Sequence, residues 1–125
     1  MNPMRILLVD DEEELVSALC ERLQMRGYEA EYTLSGADAV RRVRENTYDV
    51  AVIDVMMPDM NGLETLVNIK KLRPDVKVIL LTGRSDEDDS RAGLKHGAFD
   101  YIIKPVNIAR LIELMHNAVE RNNEK

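Results

Sequence analysis

Two short apolar segments that each run into acidic residues constrain the fold of this chain most strongly. Residues 50–53 lead into Asp54, and residues 6–9 lead into Asp10 and Asp11. Uninterrupted apolar segments rich in β-branched residues are typical of strands that are buried on both faces of a parallel sheet. Open α/β sheets bind their ligands beyond the carboxyl ends of such strands. The two segments therefore predict a parallel sheet with an acidic site at one edge.

The remaining pattern predicts three more strands, and apolar residues at helical spacing follow every strand. Residues 29–33 alternate between polar and apolar side chains, as a half-exposed edge strand does. Residues 76–81 and 101–103 form two further strands, which lead into Thr82 and Lys104. Strands that alternate with helices imply right-handed crossovers and a sheet covered on both faces. We predict a three-layer α/β fold with a five-stranded parallel sheet in the order 2-1-3-4-5 and five helices.

Three helix starts are predicted from capping residues. Ser35 and Asn61 are each followed three residues later by an acid, and Ser85 forms a similar pair with Asp88. The last helix is predicted from about Val106.

Composition limits the class of protein. The 125 residues suit one domain, with a core at about residues 5–120 and a polar tail at 121–125 that frays or begins a linker. The net charge of -6 argues against direct nucleic-acid contact by this domain. No apolar segment approaches the roughly 18 residues of a membrane span, and no signal peptide is recognisable. We expect a cytoplasmic domain without a membrane partner.

Polar residues at four strand ends predict the chemistry. Parallel strands end at the same edge, so Asp10, Asp11 and Asp54 should lie close together, with Thr82 and Lys104 beside them. Clustered carboxylates repel one another unless a cation neutralises them, and hard oxygen ligands suit Mg²⁺. The ammonium and hydroxyl groups can hold an anion. A cation site, an ammonium, a hydroxyl and a carboxylate nucleophile are the parts of phosphoryl transfer, here to Asp54.

The same positions, taken in order, carry a family resemblance. They are Asp10 and Asp11, Asp54 with Met57, Pro58, Asn61 and Gly62, Thr82, Tyr101, and Lys104 with Pro105. Each position alone is weakly specific, but the ordered set resembles the receiver domain of two-component response regulators from about Arg5 to Glu120. The resemblance implies a flavodoxin-like receiver fold and a domain that catalyses only its own phosphoryl transfer and dephosphorylation.

The resemblance also implies roles for the acidic residues. Asp54 would be the phosphoacceptor. Asp11 and Asp54 would bind Mg²⁺ directly, Asp10 would act mainly through water, and the backbone carbonyl of Met56 would complete the protein ligands.

Further roles fall on the other side of the site. Lys104, followed by a cis proline peptide, and Thr82 would hold the phosphoryl oxygens. Thr82 and Tyr101 would form a switch that alters the face of the fourth helix, last strand and last helix. Met56 and Arg84 would tune dephosphorylation, and the apolar Met56 predicts a long phosphoryl lifetime.

Two other classes of protein share parts of this pattern. Haloacid-dehalogenase-type enzymes also use an aspartyl nucleophile, but they carry a second Asp where this chain has Met56. A flavin-binding module of the same topology needs a phosphate-binding loop after the first strand, and the acids at residues 10–14 repel phosphate. Neither class fits as well as the receiver domain.

The resemblance implies partners as well. A sensor histidine kinase or a histidine phosphotransfer protein would supply the phosphoryl group. A phosphorylation-dependent homodimer would form through the fourth helix, last strand and last helix. The sequence leaves open whether the chain stands alone or comes from a longer, transcriptional regulator.

Overall fold

The computed structural model describes residues 3–58 and 60–121, in which strands and helices alternate from Arg5 onward. The strands are β1 (Arg5–Val9), β2 (Glu29–Thr33), β3 (Val50–Asp54), β4 (Lys77–Thr82) and β5 (Asp100–Ile103). The helices are α1 (Glu13–Met25), α2 (Gly36–Glu45), α3 (Gly62–Leu72), α4 (Glu87–Lys95) and α5 (Ile108–Arg121). A short 3₁₀ turn, Arg84–Asp86, precedes α4.

All strand pairs are parallel, and the sheet order is β2-β1-β3-β4-β5. This is the predicted fold class. The order places β1, β3 and β4 in the centre, where every residue of β3 is buried. It also makes β1 and β3 neighbours, with Val9 opposite Ile53. The acids that follow these two strands therefore reach the same edge of the sheet.

The core consists of two layers because successive strand residues point to opposite faces. On one face, Leu8 and Val52 pack in a cluster with residues of α1 and α5, such as Leu23 and Met115. On the other face the neighbouring strand residues pack with α2 and α3. Both faces of the central strands are covered, which explains why their sequences are apolar without alternation.

Capping residues begin two helices as predicted. The Ser35 side chain accepts a hydrogen bond from the amide of Asp38, and the Asn61 side chain accepts one from Glu64. Each bond satisfies one of the free amides in a first helical turn.

The predicted cap at Ser85 is wrong. Ser85 lies within the 3₁₀ turn, so α4 begins two residues later, and Asp86 precedes it without a side-chain capping bond. The start of α5 also differs, because the helix begins at Ile108 rather than near Val106. There the Asn107 side chain accepts a hydrogen bond from the amide of Arg110 at 3.1 Å.

Two further sequence predictions concern the polar tail at the carboxyl terminus and the membrane. Residues 122–125 of the predicted polar tail lie outside the described residues. Within residues 3–58 and 60–121, no helix combines the length and the apolar character that crossing a bilayer requires.

Candidate functional site

Four strand ends deliver the predicted polar residues to one edge of the sheet. Asp10 directly follows β1, Asp54 ends β3, Thr82 ends β4 and Lys104 follows β5. Asp10, Asp54 and Thr82 are at most 5% exposed. The sheet order and the parallel direction of the strands account for this convergence.

Three carboxylates form the centre of the site. One oxygen from each of Asp10, Glu12 and Asp54 lies within 4.8 Å of the other two. Local hydrogen bonds orient two of these carboxylates. The Glu12 amide donates to Asp10 Oδ1 at 3.0 Å, and the Met56 amide donates to Asp54 Oδ1 at 3.1 Å. The loops after β1 and β3 thus fix the two buried carboxylates through backbone hydrogen bonds.

Lys104 faces this acidic cluster. Its Nζ atom lies 3.1 Å from Asp54 Oδ2 and 3.5 Å from both Asp10 Oδ2 and Glu12 Oε1. The peptide bond between Lys104 and Pro105 is cis, as predicted. One ammonium therefore contacts all three carboxylates and neutralises only part of their charge.

Burial and nearby charges shift the pKa values of Asp54 and Lys104. Burial, together with the nearby charge of Asp10, raises the pKa of Asp54 to about 6, although Lys104 opposes the shift. Burial disfavours the charged form of Lys104, but Asp54, Asp10 and Glu12 outweigh it and raise the Lys104 pKa above its usual value. The site thus holds a lysine that stays charged and an aspartate whose ionisation is costly.

The donor set fits a hard divalent cation. Three carboxylates with one ammonium leave surplus negative charge, and oxygen ligands of this kind suit Mg²⁺. Asp10, Glu12 and Asp54 are the side chains that can hold it. Asp11 is exposed and is not among the three clustered carboxylates, so its direct metal contact stays a prediction, as does that of the Met56 carbonyl.

The sequence alone missed Glu12 as a member of the cluster. It lies just before α1 and belongs to a run of acids that favours the start of a helix. Its amide donates to Asp10 Oδ1 and its carboxylate lies near that of Asp54, an arrangement that sequence patterns do not specify. The spacing of two residues from Asp10 was the available signal.

Thr82 and Tyr101 lie on the same side of the sheet but do not bond to each other. The Thr82 hydroxyl is fully buried and donates to the carbonyl of Gly83 at 2.9 Å. Tyr101 pairs in register with Leu80, and its hydroxyl donates to Glu87 Oε2 at 2.8 Å. The switch role of the pair is not tested by these contacts and stays a prediction.

The two residues predicted to tune dephosphorylation are both exposed. Met56, two residues after Asp54 in the chain, is 55% exposed. Arg84 is also exposed and is the first residue of the 3₁₀ turn. An apolar thioether cannot orient water by a strong hydrogen bond. Their effect on phosphoryl lifetime stays a prediction.

The loop after Asp54 is held by a close backbone approach at Gly62. The Gly62 amide donates to the carbonyl of Val55 at 2.8 Å. A Cβ atom at Gly62 would lie 2.5 Å from the carbonyl oxygen of Asp54 and 2.6 Å from Val55 Cα. Because those atoms belong to the backbone, only glycine allows α3 to begin this close to the end of β3.

Comparisons with known proteins agree with this geometry. The family description "Response regulator receiver domain" matches residues 6–116. The "Transcriptional regulatory protein PrrA" of Mycobacterium tuberculosis is 37% identical over 108 residues, which is 86% of this chain and 46% of that protein. ZraR of Salmonella typhimurium, also called a transcriptional regulatory protein, is 37% identical over 95% of this chain and 27% of its own length. The chain thus spans about half or less of these curated relatives.

Two solved structures match this chain over almost the full length of both chains. A response regulator receiver domain protein from Clostridium thermocellum has a TM-score of 0.91 and 34% identity, and the match covers 96% of this chain and 97% of that one. A CheY-like receiver domain protein from Methanospirillum hungatei has a TM-score of 0.91 and 32% identity, with 98% of each chain covered.

Proposed function

This chain belongs to the response regulator receiver domain family, and from that premise we propose that Asp54 accepts a phosphoryl group from a phosphohistidine. A receiver domain is a signalling module rather than a conventional enzyme. We further propose that residues 1–125 form a single receiver domain with its core at about residues 5–120. The observation that carries the proposal is the buried Asp54 carboxylate, held 3.1 Å from Lys104 and beside Asp10 at the carboxyl edge of the sheet.

The proposed transfer forms an acyl phosphate on Asp54. The carboxylate oxygen forms a bond to phosphorus while the bond between phosphorus and the donor imidazole nitrogen breaks, and that nitrogen keeps the electron pair. Asp54 Oδ1 accepts the Met56 amide, and Oδ2 accepts the Lys104 ammonium. The amide is fixed in the backbone, whereas the lysine side chain can move to a phosphoryl oxygen, so the nucleophile is Oδ2. Burial leaves this oxygen poorly solvated, which favours reaction once it is ionised.

Lys104 and Thr82 stabilise the transferred group. The Lys104 ammonium donates to a phosphoryl oxygen, and the Thr82 hydroxyl can exchange its bond to the Gly83 carbonyl for a bond to that group. Bound Mg²⁺ would neutralise charge on the phosphoryl oxygens and on the carboxylates. Asp10, Glu12 and Asp54 are placed to hold it, and Asp11 is the further ligand that the family resemblance implies.

The proposed partners and the proposed switch follow from the same assignment. A sensor histidine kinase or a phosphotransfer protein is the donor. The exchange at Thr82 is coupled to Tyr101, and the face formed by α4, β5 and α5 changes as a result. That face supports a phosphorylation-dependent homodimer or contact with an output domain, since the named relatives are transcriptional regulators longer than this chain.

Labelling with a small phosphodonor tests the assignment. We expect intact protein incubated with acetyl phosphate and Mg²⁺ to gain the mass of one phosphoryl group. The gain should be lost in Asp54→Ala and should fall strongly when chelator replaces Mg²⁺. Asp75→Ala is the matched control because Asp75 is exposed and precedes β4 at the opposite edge of the sheet.

Two results would overturn the assignment. One is a label that persists in Asp54→Ala at the level of the parent protein. The other is labelling that proceeds equally well in chelator, which would remove the cation from the mechanism.

A further inference from the structure

The helix α4 is joined to the edge strand β5 by a side-chain bond at Glu87. Tyr101 of β5 donates its hydroxyl to Glu87 Oε2 at 2.8 Å, and Arg91 Nη2 lies 3.3 Å from the same oxygen. The hydrogen bond to Glu87, with burial, raises the pKa of Tyr101 above its usual value, so the phenol keeps the proton that it donates. One carboxylate oxygen of α4 therefore receives a donor from β5 and a cation from its own helix.

The inner face of α4 is poorly suited to hold the helix. Only Ser90 and Gly93 of α4 are buried, and neither offers a large apolar side chain. Leu94, which could do so, is 40% exposed. By contrast, α3 buries Leu66 and Ile69 completely. Because apolar burial is the main force that seats a helix on a sheet, α4 depends more than α3 on its polar contacts.

The buried hydroxyl of Ser90 disfavours the position that α4 occupies on the sheet. The Ser90 hydroxyl is fully buried, and among the described residues it is the one buried side-chain polar atom without a hydrogen-bond partner. A buried hydroxyl without a partner disfavours the conformation that contains it. A small displacement of α4 that gave this group a partner would therefore be favoured.

The two halves of α4 differ in how closely they pack. A Cβ at Gly93 would lie 2.4 Å from Leu80 Cδ1, so the carboxyl half of the helix fits closely on β4. The amino half begins after Asp86, which makes no side-chain capping bond. Any displacement is thus easier at the first turn, where Glu87 lies.

We propose that Glu87 is a latch: its bond to Tyr101 holds the first turn of α4 in the resting position, and phosphorylation at Asp54 releases it. The inference rests on the proposed function and adds a residue that controls its output.

A continuous set of contacts links the latch to the site. The Thr82 hydroxyl donates to the carbonyl of Gly83, and the same carbonyl accepts the amide of Asp86. When the Thr82 hydroxyl turns toward a phosphoryl group on Asp54, the Gly83 carbonyl loses one of its two donors. That carbonyl lies at the base of the 3₁₀ turn that leads into Glu87. The release therefore begins at the turn that positions the first residue of α4.

Release leaves no charge unpaired. Arg91 also pairs with Asp88, at 2.9 Å, and it remains one helical turn from Glu87. Glu87 can therefore turn away from Tyr101 and keep its partner on the same helix. Breaking the latch costs one hydrogen bond, which suits a contact that has to open and close.

Matched substitutions on one helical turn test the latch. Glu87→Ala removes the acceptor of Tyr101, whereas Asp88→Ala removes the same charge from a residue that also contacts Arg91 but not Tyr101. In the unphosphorylated protein, we expect Glu87→Ala to move the NMR signals of Tyr101 and of residues 83–91 toward those of the parent bound to beryllofluoride, a phosphoryl mimic. Asp88→Ala should leave the Tyr101 signals at their resting positions.

The rate of labelling gives a second readout. If phosphorylation requires the released state, its rate rises with the population of that state. We expect Glu87→Ala to be labelled by acetyl phosphate roughly three- to tenfold faster than the parent. Asp88→Ala should stay within about twofold, and Ser90→Ala, which removes the unpartnered hydroxyl, should be labelled more slowly.

A double-mutant cycle keeps the test independent of any loss of folding. Tyr101→Phe removes the same bond from the other side, so Glu87→Ala, Tyr101→Phe and the double variant should shift the α4 signals by the same amount. Additive shifts, or equal spectra for Glu87→Ala and Asp88→Ala, would overturn the latch. Because the double-mutant cycle is recorded without phosphorylation, it decides whether the bond between Glu87 and Tyr101 holds the first turn of α4, even if Asp54 accepts no phosphoryl group. The beryllofluoride and labelling comparisons decide whether phosphorylation releases that bond.

Discussion

At the scale of single residues, Asp54 combines two properties that oppose each other. The side chain lies at the end of the most buried strand, which disfavours its charge, yet the proposed reaction uses its ionised form. Lys104 offsets part of the cost, but Asp10 adds to it. The same carboxylate is therefore a source of instability in the absence of a cation and a reactive group in its presence.

The raised pKa of Asp54 predicts a pH-dependent cost to folding. The pKa is about 6 in the folded chain against an ordinary value of 3.8, so ionised Asp54 destabilises the fold. This destabilisation is absent below pH 3.8, where Asp54 is protonated in both states, and it is complete above about pH 6. Asp54→Asn should thus gain stability over the parent by about 1–3 kcal/mol between pH 4.5 and pH 7.5.

Urea unfolding in chelator at several pH values measures this difference. Asp75→Asn, an exposed carboxylate at the other edge, is the control. If the gap between Asp54→Asn and the parent stays constant across this range, the pKa of Asp54 is not raised in the folded chain.

At the scale of elements, the connection from β3 to α3 fixes the position of the phosphoacceptor. Gly62 brings the first turn of α3 against the backbone of Asp54 and Val55, and Asn61 caps that turn. Both residues lie at the end of the loop that begins directly after Asp54. The position of Asp54 is therefore set by the helix after it as well as by the strand that carries it.

Gly62→Ala should destabilise the fold by about 2 kcal/mol or more, although alanine favours helices over glycine. The added Cβ meets backbone atoms at 2.5 and 2.6 Å, which cannot move without displacing β3. Gly83→Ala is the control, because its Cβ would lie 3.2 Å from the flexible carboxylate of Asp86. Chemical denaturation of both variants measures the effect, and similar losses would contradict the steric argument.

Several elements could be predicted from the sequence, and particular residues show where prediction failed. The apolar segments that end in Asp10 and Asp54 predict β1 and β3, their central places in the sheet and the acidic site at its edge. Burial on both faces leaves few other arrangements for such segments. The Ser85 cap failed because a 3₁₀ turn competes with a helix start using the same residues. Glu12 and the bond between Glu87 and Tyr101 depend on side-chain orientation between elements, which local pattern does not encode.

At the scale of the whole molecule, the sheet has a buried centre and a weakly anchored side. The strands β1, β3 and β4 are apolar and buried on both faces, whereas α4 buries no large apolar side chain. Local opening is easiest where few apolar contacts are lost. We therefore expect α4, a helix of the proposed output face, to open more readily than the central strands.

Amide hydrogen exchange should show this order directly. We expect the amides of β1, β3 and β4 to exchange slowest, near the rate of global unfolding, and those of α4 to exchange at least about tenfold faster than those of α3. The comparison of α3 with α4 is internal to one sample. Equal protection of the two helices would show that α4 is anchored as firmly as its neighbour.

Gly62 packs closely against Asp54 at the end of β3, whereas the less firmly held α4 lies over β4 and β5. We therefore expect stiffness to decline across the sheet, from the strand that carries Asp54 to the helix of the proposed output face. Such a gradient lets the two sides vary separately over evolutionary time. Substitutions on the outer surface of α4 can retune which state is populated, or which protein reads it, while the geometry around Asp54 stays the same.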